Sequence, residues 1–306
     1  MRVHAWMYPG APAQNAAETY RQGKVTVIKP QYFSLDNDGK LILLKEDKND
    51  LFNTQNAYSA ENVVDIKKYT QEQLVTVDGD QDRFRKMYNN QILRNAFIDT
   101  LVNFVEENGL TGIDLDLESF FYWTLSDWNK YKNLVKTLGT ILHSRNKKLS
   151  LCGPQWEIPS NNTMVWKYNE LVSYPIDYIT PMTYDYQWIK GFGKPRSPCF
   201  WLTEWTKAML DWGWTSDRLV MGIPNNAYYK NTRTNEYKDT TLEWIKWIGK
   251  YDLNRRDPES YEIIYIKNEK IYVTNDKMSI LKKCEAIALA GGLQVSVWHL
   301  GGNDFF

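Results

Sequence analysis

Three cysteines and three histidines in 306 residues leave little material for redox or metal chemistry. Cys152, Cys199 and Cys284 are odd in number and widely spaced, which excludes a disulfide scaffold or a zinc ribbon. No metal and no cofactor is expected. Net charge is also missing, because 37 Lys and Arg offset 37 Asp and Glu. The electrostatic footprint of a nucleic-acid binder or a membrane-surface protein is therefore absent. No apolar run approaches the roughly 18–20 residues that a membrane span needs. No Pro-, Gly- or Ser-rich linker, like-charge block or short repeat divides the chain, so one domain over residues 1–306 is expected. The N-terminus shows no basic region followed by an apolar one, so no signal peptide is read there.

What is abundant is aromatic surface. Phe, Trp and Tyr make up 14% of the chain, with 13 Trp and 20 Tyr. Flat apolar faces with a polar edge suit stacking under sugar rings, and they equally suit a Trp-rich core. Composition raises carbohydrate binding without deciding it.

Short β-branched or aromatic runs alternate with stretches of helical period. Strands are expected over residues 2–7, 25–33, 74–77, 112–117, 149–152, 177–182, 219–223 and 293–298. Helices are expected over 82–108, 126–145, 164–173, 198–212 and 277–290. Eight strands with helices between them is the count of an α/β (β/α)8 TIM barrel. A short insertion after strand seven is expected to hold a helix over 241–249 and a hairpin, 262–266 with 270–274, turning at Asn268-Glu269. The chain stops eight residues after Trp298, so the last helix is expected to be truncated. Short loops at the strand ends predict a shallow, open cleft.

The chemistry concentrates in Gly112-Ile113-Asp114-Leu115-Asp116-Leu117-Glu118. Strand alternation sends Ile113, Leu115 and Leu117 toward the helices and Asp114, Asp116 and Glu118 into the barrel. Three carboxylates in file cannot all ionise cheaply, so one is pushed toward its protonated form and a proton is shared. Glu118, nearest the strand's C-terminal end, faces the mouth where barrels keep their active sites. It is placed as a protonated general acid, with Asp116 behind it and Asp114 deeper. An acidic file can also be the solvated face of an antiparallel sheet, but barrel strands have no solvated face. At other strand ends Trp6, Tyr32, Gln155 and Trp156 stand where subsite walls are built, or fold back to seal the barrel. His4 and His299 read as ordinary polar contacts.

The stretch 112–118 resembles the Asp-Gly-x-Asp-x-Asp-x-Glu signature of family 18 glycoside hydrolases, the chitinases and related endo-β-N-acetylglucosaminidases. The resemblance covers most of the chain. Arg94-Asn95-Ala96-Phe97-Ile98 is similar to the helix leading into the signature. Pro181-Met182-Thr183-Tyr184-Asp185-Tyr186 resembles the family's Met-x-Tyr-Asp segment, and Gly222-Ile223-Pro224 its Gly-x-Pro. Residues 275–283, Gly291-Gly292 and Val297-Trp298 are similar to its closing helix and strand-eight Trp. Two departures stand out. Thr111 replaces the family's first Asp, which puts the charge relay in question, and Val77-Asp78-Gly79-Asp80 alters its Ser-x-Gly-Gly pattern.

The resemblance implies substrate-assisted retention, an exception to the two-carboxylate rule. Glu118 would protonate the glycosidic oxygen, and the substrate's 2-acetamido oxygen would attack the anomeric carbon to give an oxazolinium ion. Asp116 would accept the acetamido N–H, Tyr184 would donate to the acetamido oxygen, and Trp298 would lie under the sugar. Met182 and Asp185 come with the same segment as substrate contacts. The expected partner is an N-acetylglucosamine-containing oligo- or polysaccharide, acted on by a monomer, with no nucleic acid and no membrane. Chitin is the first expectation and peptidoglycan or the N-glycan core the second. A non-catalytic lectin on the same fold is the rival from another class, kept open by Thr111. The substrate class argues for a secreted or extracellular protein, and the absence of a leader leaves the cytoplasm open.

Overall fold

The computed structural model describes residues 1–10, 13–47, 49, 56–160, 164–240, 245 and 253–301. Eight parallel strands form its centre. They are β1 (Arg2–Met7), β2 (Val27–Leu35), β4 (Glu72–Gly79), β5 (Gly112–Leu117), β6 (Lys148–Gly153), β7 (Tyr178–Pro181), β8 (Val220–Pro224) and β14 (Gln294–Trp298). They pair in the order β7-β6-β5-β4-β2-β1-β14-β8, with β3 (Leu41–Leu43) antiparallel to β2. A parallel bridge between Ile179 and Leu219 joins the two ends of that order, with the Ile179 N–H donating to the Arg218 carbonyl at 2.9 Å. The (β/α)8 barrel follows from the alternation. On β5 all six residues are buried, and Ile113, Leu115 and Leu117 join the apolar layer under the helices.

That layer is covered by α1 (Ala13–Arg21), α2 (Ala60–Tyr69), α3 (Gln81–Asn89), α4 (Gln91–Glu107), α5 (Leu125–Ser144), α6 (Gln187–Lys190), α7 (Cys199–Asp211) and α8 (Lys277–Leu289). The single helix expected over 82–108 is two. Asn90 takes an extended backbone and its side chain accepts the N–H groups of Ile92 and Leu93, so α3 stops where α4 is capped. The helix expected over 164–173 is absent but for a 3₁₀ turn, Tyr168–Leu171. Trp166 and Tyr168 are both buried, and a spacing of two does not fit one helix face. The Tyr168 hydroxyl donates to the Pro154 carbonyl at 2.6 Å and fixes the segment instead. Helix α1 lies between β1 and β2, and β3 and α2 lie in the long polar stretch between β2 and β4; none of the three was expected.

The insertion after β8 is more than a hairpin. Strands β9 (Ala227–Asn231), β10 (Tyr237–Thr240), β11 (Leu253–Arg256), β12 (Ile263–Lys267) and β13 (Lys270–Thr274) form an antiparallel sheet in the order β10-β9-β13-β12-β11. The hairpin turn at Asn268-Glu269 is as expected, with both residues at positive φ, 47° and 61°. The helix expected over 241–249 lies outside the described residues, apart from Ile245. Glu262 locks this sheet to the barrel. It accepts the backbone N–H groups of Arg196 and Ser197 at 2.7 and 2.9 Å and pairs with the buried Lys283 at 3.0 Å.

Candidate active site

Asp114 lies at the bottom of the acidic file and is fully buried. Its Oδ1 is 3.0 Å from Lys29 Nζ, while its Oδ2 accepts the Trp6 indole N–H at 3.0 Å and the Thr76 hydroxyl at 3.1 Å. Burial alone would raise this carboxyl, but Lys29 and the hydrogen bonds hold it below the usual carboxylate range. Asp114 is thus a charged, fully engaged group, and the proton sharing expected along all three carboxylates is confined to those above it. Lys29 was not singled out in the sequence. Its one signal is a lysine inside an otherwise apolar strand.

Asp116 is the next inward residue and is 5% exposed. Its Oδ1 has no hydrogen-bond partner among the described residues. Burial, with Glu118, Asp114 and Asp78 as like charges, pushes its carboxyl well above the usual range. Glu118 follows the end of β5. Its backbone N–H donates to the Gly79 carbonyl at 2.7 Å, and its own carbonyl accepts the Trp123 indole at 2.8 Å. The Glu118 side chain is exposed to the cleft, and the surrounding walls remove part of its hydration. That desolvation, with Asp78 and Asp185 adding negative charge, pushes its carboxyl up to about 7.

Glu118 stands in a cleft of about 720 Å³ shared with Met182, Tyr184, Asp185 and Gln155. Phe121, Trp156 and Trp188 form its aromatic walls. Tyr184 is 7% exposed, and burial beside Asp116 and Glu118 pushes its phenol well up, which keeps its hydroxyl a donor. The Gln155 amide donates to the Tyr184 carbonyl at 2.7 Å and ties the turn after β7 to the loop after β6. Asp185 takes a left-handed backbone, φ 67°, and its Oδ1 is engaged by Arg196 and by Gln187. Arg196 also reaches Asp239 of the insertion at 3.0 Å. Trp188 is mostly exposed, with its ring 5.0 Å from Tyr237 on β10. The insertion therefore stands against one wall of the cleft, and the shallow, open cleft expected from short loops is corrected.

Other expectations separate at this point. Tyr32 is fully buried and does not reach the cleft. A bulge between Gln31 and Phe33 interrupts the alternation of β2, and Tyr32 packs on Tyr58 and Phe104 under the helices. Trp6 is 1% exposed and holds Asp114 rather than walling a subsite. Trp298 is half-buried at the end of β14, edge-on to Trp6 and to Tyr8. Its ring thus stands above the indole that holds Asp114. His4 and His299 make the ordinary contacts expected, to Gln294 and to the Leu300 carbonyl. Thr111 lies at the base of β5, where its hydroxyl accepts the Gln73 N–H at 3.1 Å. Three residues separate it from Asp114, about 10 Å along a strand. The departure at Thr111 therefore leaves the carboxylates untouched. Among the described residues no group of three or more His, Cys, Asp or Glu could hold a metal ion.

A larger cavity, about 830 Å³, lies between α1 and α2. Its Asp65 is taken up by the Tyr20 hydroxyl and the Arg21 guanidinium, and its other acid among the described residues is Glu61. The carboxyls that are pushed up together stand at the barrel mouth instead.

The chain is similar to known proteins in sequence pattern and in fold. The family model of the glycosyl hydrolases family 18 matches residues 4–303. A chitinase from Chromobacterium violaceum ATCC 12472 superposes with a TM-score of 0.79 at 16% identity, covering 99% of this chain and 95% of that one. The spore cortex-lytic enzyme SleL of Bacillus megaterium QM B1551 gives 0.77 at 16% identity, covering 99% of this chain and 71% of that one. A mutant class V chitinase from Nicotiana tobaccum in complex with NAG4 gives 0.74 at 15% identity, covering 98% and 94%. No curated protein sequence matches the chain. Identities this low speak to the fold, whereas the family model accounts for nearly the whole sequence. On that ground the chain belongs to glycosyl hydrolase family 18.

Proposed function

We propose that the chain hydrolyses β-1,4 bonds next to N-acetylglucosamine by substrate-assisted retention. The observation that carries this reading is Glu118, a carboxyl pushed up to about 7 and open to a cleft, next along the strand from Asp116, whose carboxyl is pushed well above the usual range. A carboxyl poised near neutrality can give its proton to the glycosidic oxygen and later, as a carboxylate, activate water. Asp114 is held by Lys29 and Asp185 by Arg196, so neither stands free to attack the sugar. The nucleophile is then the substrate's own acetamido oxygen. Asp116 receives the acetamido N–H, and its proton faces the Glu118 carboxylate left after the acid has acted. Tyr184 donates its hydroxyl to the acetamido oxygen, and Trp298 supports the sugar from below. Dipoles and charges already in place lower the cost of the oxazolinium cation as it forms.

Chitin-type oligosaccharides are the first substrate class, in line with neighbours named as chitinases and one complexed with NAG4. Spore-cortex peptidoglycan is the second, after the neighbour SleL. The lectin reading loses its motive, because Thr111 sits at the far end of β5 from Glu118. The test is release of a fluorescent aglycone from N,N′-diacetylchitobioside and chitotrioside by the wild type and by Glu118→Gln. Turnover should fall about 10²–10⁴-fold or more in the variant, the range a general acid supplies. Equal turnover by both proteins, or none by the wild type on chito-oligosaccharides and on cortex peptidoglycan alike, would overturn the reading.

A further inference from the structure

Asp78 is a further carboxylate at this site, and none of the chemistry above uses it. It is the penultimate residue of β4, and it lies directly beside Asp116 in the parallel pairing of β4 with β5. Neighbouring strands are about 4.8 Å apart, so side chains in register on one face are immediate neighbours. The bond from the Glu118 N–H to the Gly79 carbonyl sets Glu118 one step further toward the mouth. Asp78 therefore flanks both members of the proton-sharing pair.

The surrounding cations are all engaged elsewhere. From β2, Lys29 is paired with Asp114, and from the segment after β7, Arg196 is paired with Asp185 and Asp239. From the start of α3, Arg83 lies 3.3 Å from Asp80, which itself adds negative charge. Cys152 on β6 and Tyr184 after β7 face the pair as neutral groups, each with its proton held by burial among the carboxylates. Asp78 itself receives the Ser34 hydroxyl, at 3.3 Å, and the Gly79 backbone N–H, and forms no ion pair within 4.0 Å among the described residues. Arg83 acts on it only from beyond ion-pair distance, so its negative charge faces Asp116 and Glu118 without a paired cation.

We propose that Asp78 is a positioning residue for proton transfer, whose charge keeps a proton on the Asp116–Glu118 pair so that Glu118 meets the glycosidic oxygen as an acid. This rests on the reading of Glu118 as the general acid. The direction follows from electrostatics. A like charge favours the protonated form of its neighbour, so removing it lets Glu118 lose its proton at lower pH. The alkaline limb of the activity profile then moves toward acid. Burial raises the Asp78 carboxyl as well, as expected for a charge without a partner.

The experiment follows Glu118 directly, by carbon NMR titration of protein labelled at glutamate carboxyls, with Glu118→Gln assigning the signal. The same proteins are assayed for the pH dependence of kcat/KM on the chitotrioside. Asp78→Asn should lower the Glu118 midpoint by about half a pH unit or more and shift the alkaline limb by the same amount. Asp78→Glu, which restores the charge, should keep both near the wild-type values. Asp82→Asn, an exposed acid on α3, should leave both unchanged. An unmoved midpoint in folded Asp78→Asn overturns the proposal, as does an equal shift in Asp78→Glu or in Asp82→Asn. A wild type inactive on every N-acetylglucosamine substrate would sink the hydrolase reading instead, while the titration alone would still decide the role of Asp78.

Discussion

At the scale of single residues the site is an exercise in assigning charge. Asp114 and Asp116 are two residues apart on one strand and are pushed in opposite directions, because one has Lys29 and the other does not. Lys29 is fully buried, with its ammonium 4.7 Å from the Trp6 ring centroid, and it neutralises the deepest carboxylate. Lys29→Met should destabilise the fold by about 3–5 kcal/mol, the cost of leaving a buried charge unpaired. Urea unfolding at pH 7 measures it, and Lys29→Met with Asp114→Asn should recover most of the loss. The carboxylate file was legible in the sequence because alternation dictates which side chains point inward. Its counter-charge was not, because pairing across the barrel joins residues 85 positions apart with no local pattern between them. Tyr32 misled for a related reason, since a bulge leaves no mark on the alternation read from sequence.

At the scale of elements, the strands carried a strong signal and the connections a weak one. β1 and β5 stand where the alternation put them, and the other barrel strands differ from expectation by a few residues at their ends. The break between α3 and α4 depends on one side chain. Asn90 serves as C-cap of the first helix and N-cap of the second. Asn90→Ala should cost about 1 kcal/mol of stability, the usual worth of an N-cap, with kcat unchanged because the cap is remote from the cleft. Thermal unfolding beside a standard assay checks both parts. The segment before Pro175 failed as a helix because its aromatics are spent on the core. Trp166, Tyr168, Trp123 and Tyr131 pack edge to face in one cluster. The richness in Trp is explained largely there, since Trp6, Trp128, Trp201 and Trp214 are all under 2% exposed and few indoles reach the cleft.

At the scale of the molecule, a barrel and a five-stranded sheet together shape the cleft. Arg196 bridges them, with Asp185 on the barrel side and Asp239 on the other. Trp188 sits at this junction, exposed, and its face is available to a sugar beyond the reacting one. Trp188→Ala should raise KM for a tetrasaccharide about 2–10-fold, as expected for loss of one stacking partner, with kcat nearly unchanged. Initial-rate kinetics on tetrasaccharide and chitobioside should show the effect only with the longer substrate. The insertion sheet was only partly legible, because β10 and β11 are short and exposed and have no apolar alternation to announce them.

The closure of the barrel has a consequence for how the cleft can come apart. Seven neighbouring strand pairs are laced by full ladders, whereas β7 and β8 meet through the single bridge at Ile179 and Leu219. The cylinder is a zipped tube with one loose seam, and local opening starts where backbone hydrogen bonds are fewest. Tyr184 and Asp185 follow one lip of that seam and the insertion follows the other. A breathing motion there would part the walls that grip the sugar and leave β4 and β5, with Asp78, Asp116 and Glu118, standing in register. The cleft could thus widen along a line built into the barrel itself while the carboxyl file keeps its geometry.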